Sequence, residues 1–277
     1  MKPYDLHTHS YYSDGTDSPY ELVKKAKEAG LGLVALTDHD TVAGVKEAAE
    51  AGKALGIGVL SAVEIDAQFP SELHILGYGV GIGHSSVEAH EKEAAARRVW
   101  RNEEIVKKLD AAGLNIRPYL EQSKGNGTRL HLARALMLAG YSDTVRNAFD
   151  AYLKPGGAGY VESVRPSPKR VIELIHEAGG LAVLAHPKKL NADAHAVVDA
   201  LASLGLDGIE AYYPLSTEGE IALFLSLARQ YGLFVTCGSD NHGAYRKNAE
   251  LGSTWRDVRE LEKTYEMLVE RYGAAPG

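Results

Sequence analysis

The chain has a single cysteine, Cys237, which excludes an internal disulfide framework and fits a reducing compartment. It closes the apolar run 233–237, so it reads as a small buried hydrophobe rather than a nucleophile. Long apolar runs are missing as well: none approaches the roughly 18 residues that span a bilayer. The opening MKPYDLHTHS lacks a secretory h-region, so a cytoplasmic protein with no membrane contact is expected. Positive charge is scarce. A net charge of −7 argues against stable binding of duplex nucleic acid through a basic surface. It leaves a nucleotide substrate open, because divalent cations and a few local Arg or Lys residues reverse the potential inside one cleft. There is no internal repeat and no low-complexity tract, and the oligomeric state is not written in the sequence.

What is present fits one large α/β body. At 277 residues and 45% hydrophobic composition, the chain falls in the range where α/β barrels remain a single domain. Strands are expected at 4–7, 33–37, 57–63, 73–78, 181–185, 208–211 and 234–237. Helices are expected at 18–29, 42–55, 168–178, 192–204, 217–231 and 257–272, the first opened by Ser18-Pro19 as N-cap and first-turn proline. A strand, a polar residue at its C-terminal end and then a helix is the recurring order of a parallel α/β sheet or barrel. Between 85 and 158 no strand is expected. A charged helical run at 87–112 is followed there by the loop Gly125-Asn126-Gly127 and by helices near 131–139 and 143–152. The domain reading is therefore a barrel of 1–84 and 159–277 with a helical insertion, 85–158, capping the active site.

The strand ends carry the chemistry. His7 and His9, two apart on the first strand, point to the same side and can grip a metal; the competing reading is two polar residues on a wet strand face. Asp14 in the following turn can add an oxygen ligand. With Asp38, His39, Glu64, His74, His186, Asp240 and His242, nearly every strand ends in an imidazole or a carboxylate. That mixed set without thiolates suits Mn²⁺, Fe²⁺ or Zn²⁺ and not a structural zinc site. The donors are too many for one ion. Two or three ions are implied, with Glu64 as a natural bridge.

At Asp5-Leu6-His7-Thr8-His9-Ser10, Ser13-Asp14-Gly15, Thr37-Asp38-His39-Asp40, Glu64, His74, Ala185-His186-Pro187 and Gly238-Ser239-Asp240-Asn241-His242-Gly243, the chain closely resembles the PHP (polymerase and histidinol phosphatase) phosphoesterases. The resemblance implies an α/β fold, a distorted seven-stranded (β/α) TIM-like barrel, with a dinuclear or trinuclear site. It places His7, His9, Glu64 and Asp240 around one ion, Glu64, His74 and His186 around a second, and Asp14, His39 and His242 around a third. Some relatives have a histidine where Asp14 stands. Mn²⁺ is the expected metal, with Fe²⁺ or Zn²⁺ as alternatives.

Within the family the sequence looks most like the phosphatases that remove the 3′-phosphate of 3′,5′-bisphosphonucleosides, some of which trim 5′-phosphorylated RNA from its 5′ end. The segment Thr128-Arg129-Leu130-His131-Leu132-Ala133-Arg134 is similar to those relatives' Gly-Arg-Pro-His-Leu-Ala-Arg, departing at Thr128 and Leu130. It marks Arg129, His131 and Arg134 as substrate contacts, against a helix-surface arginine and a helix-terminal histidine. Lys188 is a further phosphate candidate beside Lys189, against a solvated loop pair. His186, His242 and Asp240 are assigned to catalysis, with the third-site ion, or His242 or His186 nearby, assisting the leaving alkoxide. Tyr212-Tyr213 could stack a base or pack as a lining, whereas His84, His90, His176 and His195 read as exposed or structural. Histidinol phosphatase, cyclic-phosphate diesterase and a non-catalytic accessory module are the rival functions.

Overall fold

The computed structural model describes residues 2–120, 127–246 and 248–273. In chain order its elements are β1 (Tyr4–Thr8), α1 (Pro19–Glu28), β2 (Leu33–Leu36), α2 (Val45–Leu55), β3 (Gly58–Asp66), β4 (His74–Tyr78) and α3 (Ser85–Ala111). Then come α4 (Arg129–Leu138), the short α5 (Val145–Ala148), α6 (Pro168–Glu177), β5 (Leu181–Leu184), α7 (Ala194–Ser203), β6 (Gly208–Tyr212), α8 (Glu218–Tyr231), β7 (Phe234–Cys237) and α9 (Arg259–Tyr272). Two compact units result: one of residues up to Ala89 and from Arg165 on, the other His90–Val164.

The first unit holds one seven-stranded sheet in the order β1 to β7. Past the end of β7 the chain returns to β1, where Asp240 N–H donates to His7 O at 2.8 Å and His9 N–H to Asn241 O at 2.9 Å, so the sheet nearly closes into a barrel. Every residue of β1 is buried. His7 and His9 therefore have no wet face to occupy.

The strand-helix alternation predicts a parallel sheet, but β4 runs antiparallel to both β3 and β5. The cause lies in the connections. Only the short segment 67–73 joins β3 to β4, too little for the crossover of a dozen or more residues that a parallel neighbour needs. His74, the first residue of β4, thereby lies opposite Asp66, the last of β3. A strand start is thus placed among strand ends.

Helix starts follow the local chemistry. Ser18 forms a full capping box with Glu21 and Pro19 takes the first turn, as Thr217 does with Glu220 for α8. Helix α2 begins at Val45 rather than 42 because the Thr41 hydroxyl takes the N–H of Ala43, a local bond that competes with the helix. Leucine, isoleucine and valine side chains of the strands pack with Val171, Ile172 and Ile175 of α6 and Phe224 and Leu227 of α8 into one core.

Gly238 is required where β7 approaches β1. A Cβ there would lie 2.2 Å from His7 Cβ and 2.4 Å from Glu210 Oε1, with backbone behind it. Gly238→Ala is expected to cost about 1–3 kcal/mol by overpacking and to lower the thermal midpoint by on the order of 5 °C. Thermal unfolding checks this; an unchanged midpoint would mean that β1 and β7 separate freely.

In the second unit no strand occurs among the described residues. Ile105 and Leu109 of α3, Leu132 and Leu136 of α4, and Leu153 form its own core. Gly125 and Asn126 lie outside the described residues.

Candidate metal centre

Glu64, at the end of β3 and 1% exposed, is the hub of the first unit's polar interior. Its Oε2 lies 3.3 Å from His7 Nε2, 3.2 Å from His9 Nε2 and 3.3 Å from His39 Nδ1. Its Oε1 lies 2.9 Å from His74 Nδ1 and 3.0 Å from His186 Nε2. One carboxylate thus divides five imidazoles between its two oxygens.

Asp240 divides its oxygens as well. Oδ1 is 3.4 Å from His9 Nε2, 3.7 Å from His7 Nε2 and 3.4 Å from His242 Nδ1. Oδ2 accepts from Tyr213 Oη at 2.8 Å and Lys189 Nζ at 3.1 Å and pairs with Arg246. Asp14, in the turn after β1, completes the third group, with Oδ1 at 3.2 Å from His242 Nε2 and Oδ2 at 3.8 Å from His39 Nε2.

Donor atoms within 4.8 Å of one another fall into the groups His9, Asp14, His39, His242; His7, His9, Asp240; His7, Glu64, His186; His39, Glu64, His74; and Glu72, His74, His186. Glu72 is one member that the sequence did not mark. Adjacent ligands about 2.1 Å from one ion stand about 3.0–3.4 Å apart at octahedral or tetrahedral angles, which is the spacing of the imidazole–carboxylate pairs around Glu64. His7 Nε2 and His9 Nε2 are buried without a hydrogen-bond partner. Buried polar atoms left so are rare unless a ligand or ion serves them. The donor set, its spacing and these two nitrogens fit divalent ions.

Besides the exposed Leu215, the non-glycine residues of positive φ among the described residues are His186, Asp40 and Asp240. His186 has φ +28°, and Asp40 and Asp240 have φ +56° and +54°, each a conformation that L-residues with side chains seldom adopt. Such strain persists only where surroundings over-determine it. Irregular register in β1 between Asp5 and Thr8, and between β6 and β7 at Glu210 to Tyr212, re-aims side chains there.

The charges are arranged for ligation. Burial alone would raise the carboxyl of Glu64, but His7, His39 and His74 hold it well below the usual range. Asp14 is likewise held down, against burial, by His242 and His39, and Asp240 by Lys189 and His7. Burial and His242 push His9 down, and burial and Lys189 bring His186 to about 4, so both present lone pairs at neutral pH. His7, His74 and His242 are raised by carboxylates despite burial. Ion uptake at these three would release protons.

Around this centre, Asp38 braces the β1 turn rather than facing inward: it accepts from Ser10 N–H, Ser10 Oγ and Ser13 Oγ at 2.8, 2.6 and 2.5 Å. Of the lysines, Lys188 is diverted to Glu220, 2.5 Å away, while Lys189 reaches Asp240. A 3₁₀ turn at Pro187–Lys189 rotates successive side chains by about 120°, so neighbours point apart. Lys188 thus faces Glu220 and Lys189 faces the carboxylate cluster. Tyr213 touches the centre through its hydroxyl, and its ring meets His186 edge-on at 5.6 Å. Cys237 is buried, and so is His90, whereas His84, His176 and His195 are exposed.

In the second unit, Arg129 Nη2 donates to Val161 O at 2.6 Å. His131 is the third residue of α4 and, 4% exposed, closes a capping box with Thr128 through Nδ1. Arg134 is partly exposed on the same helix. Arg246, Glu72 and the one carboxylate of β6, Glu210, were not marked as site residues by sequence. Of these only Glu210 carried a signal, as a lone charge within an apolar strand.

Comparisons with known proteins agree with this geometry. Residues 5–270 match the PHP domain. The chain is 35% identical over 247 residues to a 5′-3′ exoribonuclease of Haemophilus influenzae, covering 87% of this chain and 90% of that one. It is 32% identical to the phosphoribosyl 1,2-cyclic phosphate 1,2-diphosphodiesterase of Eggerthella lenta, with coverage of 90% and 97%. With the 3′,5′-nucleoside bisphosphate phosphatase of Chromobacterium violaceum it shares 31%, over 92% of each chain. A solved amidohydrolase structure from Chromobacterium violaceum, with bound sulfate and no metal, superposes with TM-score 0.88 at 29% identity over 97% of this chain and 96% of the other. Among the described residues no helix is long and apolar enough to cross a membrane. The chain belongs to the PHP family and is a metal-dependent phosphoesterase.

Proposed function

We propose that the enzyme breaks the bond between a phosphorus and the 3′-oxygen of a 5′-phosphorylated nucleoside. With a 3′,5′-bisphosphonucleoside, water attack gives the nucleoside 5′-phosphate and inorganic phosphate. With short 5′-phosphorylated RNA, the same bond cleavage frees the first nucleotide and leaves a new 5′-phosphate on the remainder. One reaction thus accounts for likeness to both a bisphosphate phosphatase and a 5′-3′ exoribonuclease. The observation that carries the proposal is Glu64, whose two oxygens face separate imidazole sets as a bridging carboxylate's would.

In this reading His7, His9, Glu64 and Asp240 hold one ion, Glu64, His74 and His186 a second, and Asp14, His39 and His242 a third. Mn²⁺ is the metal proposed, with Fe²⁺ or Zn²⁺ as substitutes that the same donors accept. Bound ions supply a nucleophilic water at neutral pH and neutralise the phosphoryl oxygens. The protein's part is positioning. Tyr213, Lys189 and Arg246 fix Asp240 through Oδ2 while Oδ1 faces the imidazoles. Assistance to the leaving 3′-oxygen is assigned to His186, beside Glu64, or His242, beside Asp240. Arg129, His131 and Arg134 are carried over from the relatives' segment as contacts to a second phosphate, Arg because its fork matches phosphate oxygens.

The test is a panel of substrates offered to Mn²⁺-loaded enzyme: 3′,5′-bisphosphonucleosides, 3′-mononucleotides, 5′-phosphorylated oligoribonucleotides, histidinol phosphate and cyclic phosphates. The first and third are expected to be turned over. Removing the 5′-phosphate is expected to lower kcat/KM by about 10–100-fold, the worth of a charge-assisted contact of about 1.5–3 kcal/mol. Preference for histidinol phosphate or a cyclic phosphate would overturn the proposal.

A further inference from the structure

Two carboxylates stand behind the cluster rather than in it. Glu210, fully enclosed on β6, has Oε1 and Oε2 at 3.0 and 3.2 Å from His7 Nδ1, and its Oε2 also accepts the backbone N–H of His186 at 2.7 Å. Asp66, at the end of β3, has Oδ1 at 2.8 Å from His74 Nε2, while its Oδ2 accepts from Arg165 Nε at 3.2 Å. Neither belongs to any of the mutually facing donor groups among the described residues.

In the neutral ring that binds an ion, an ionised carboxylate, which only accepts, keeps the one proton on the imidazole nitrogen against it. That leaves His7 with its lone pair on Nε2, 3.3 Å from Glu64 Oε2. It leaves His74 with its lone pair on the other ring nitrogen, Nδ1, 2.9 Å from Glu64 Oε1 and 3.2 Å from His186 Nε2. The two rings face the same carboxylate through opposite atoms, and each outer carboxylate sits at the nitrogen that must be kept out.

We propose that Glu210 and Asp66 are positioning residues that select Nε2 of His7 and Nδ1 of His74 as the ligating atoms, Glu210 also fixing the strained main chain of His186. The inference rests on the cluster being a metal centre. A purely structural Glu210 would need to satisfy only the His186 N–H. Both its oxygens instead close on one imidazole nitrogen, and His7 Nε2 is left without a hydrogen-bond partner.

Two measurements test it on the intact protein. Long-range ¹H–¹⁵N correlation spectra of the Zn²⁺-loaded enzyme are expected to show His7 protonated on Nδ1 and His74 on Nε2. Competition with a fluorescent chelator is expected to show Mn²⁺ binding about 10–100-fold weaker in Glu210→Gln and in Asp66→Asn, because an amide can offer an N–H to the wrong tautomer. Asp66 is partly exposed, so its variant keeps the test decisive if Glu210→Gln does not fold. Wild-type Mn²⁺ affinity in the folded variants, or His74 bound through Nε2, would overturn the proposal. Failure of the unaltered protein to bind Mn²⁺ would instead remove the metal-centre reading beneath it.

Discussion

Glu64→Ala is expected to lower kcat/KM for phosphate-ester hydrolysis by on the order of 10³-fold or more, measured on Mn²⁺-saturated protein. The argument is one of position and charge. Among the described residues, Glu64 alone faces both the His7, His9, His39 side and the His74, His186 side. Its removal takes a ligand from each side and leaves imidazoles crowded without the anion between them. Two-metal clamps supply several kcal/mol of charge stabilisation, and each loss of about 1.4 kcal/mol is tenfold in rate. A drop of less than tenfold, with the fold intact by circular dichroism, would contradict a bridging role. His9→Ala and Asp240→Ala are expected to follow Glu64→Ala in direction, since both line the same group.

Removal of the ions by a chelator is expected to abolish activity reversibly and to lower the thermal midpoint. An ion present at 100 times its dissociation constant stabilises the folded chain by about 2.7 kcal/mol. Two such ions, at about 2–4 °C per kcal/mol for a chain of this class, shift the midpoint by on the order of 10 °C or more. The direction follows from the site. Without ions, the buried carboxylates of Asp14, Glu64 and Asp240 raise the proton affinity of His7, His74 and His242. Ions replace those protons with stronger bonds, and the unfolded chain has no such site. Calorimetry with and without Mn²⁺ checks the shift. An identical midpoint together with unimpaired turnover in chelator would exclude a metal mechanism.

Much of this was legible in the sequence because it is local or periodic. Two histidines two apart on a strand, a Ser-Pro helix start and the apolar run at Phe234–Cys237 announce themselves through spacing alone. The set of strand-end donors was legible for the same reason: a histidine or carboxylate closing an apolar run stands out. What stayed hidden depends on direction and distance. His74 begins its strand, and only the antiparallel course of β4 brings it beside Asp66 and Glu64. Lys189 rather than Lys188 reaches Asp240, a choice made by the turn of one 3₁₀ segment. Tyr213 and Arg246 join Asp240 from loops with no pattern of their own. Asp14 was read from sequence as an added oxygen ligand, grouped by resemblance with His39 and His242, and it lies 3.2 Å from His242 and 3.8 Å from His39.

The central claim is that these side chains hold a multinuclear metal centre bridged by Glu64. An anomalous difference map from a crystal of the Mn²⁺-loaded enzyme, recorded at the manganese edge, tests it most directly. The account predicts separate peaks within bonding distance of the two Glu64 oxygens, one among His7, His9 and Asp240 and one among His74 and His186. A fully loaded, active crystal with no peak at Glu64, or with manganese bound elsewhere on the chain, would contradict it.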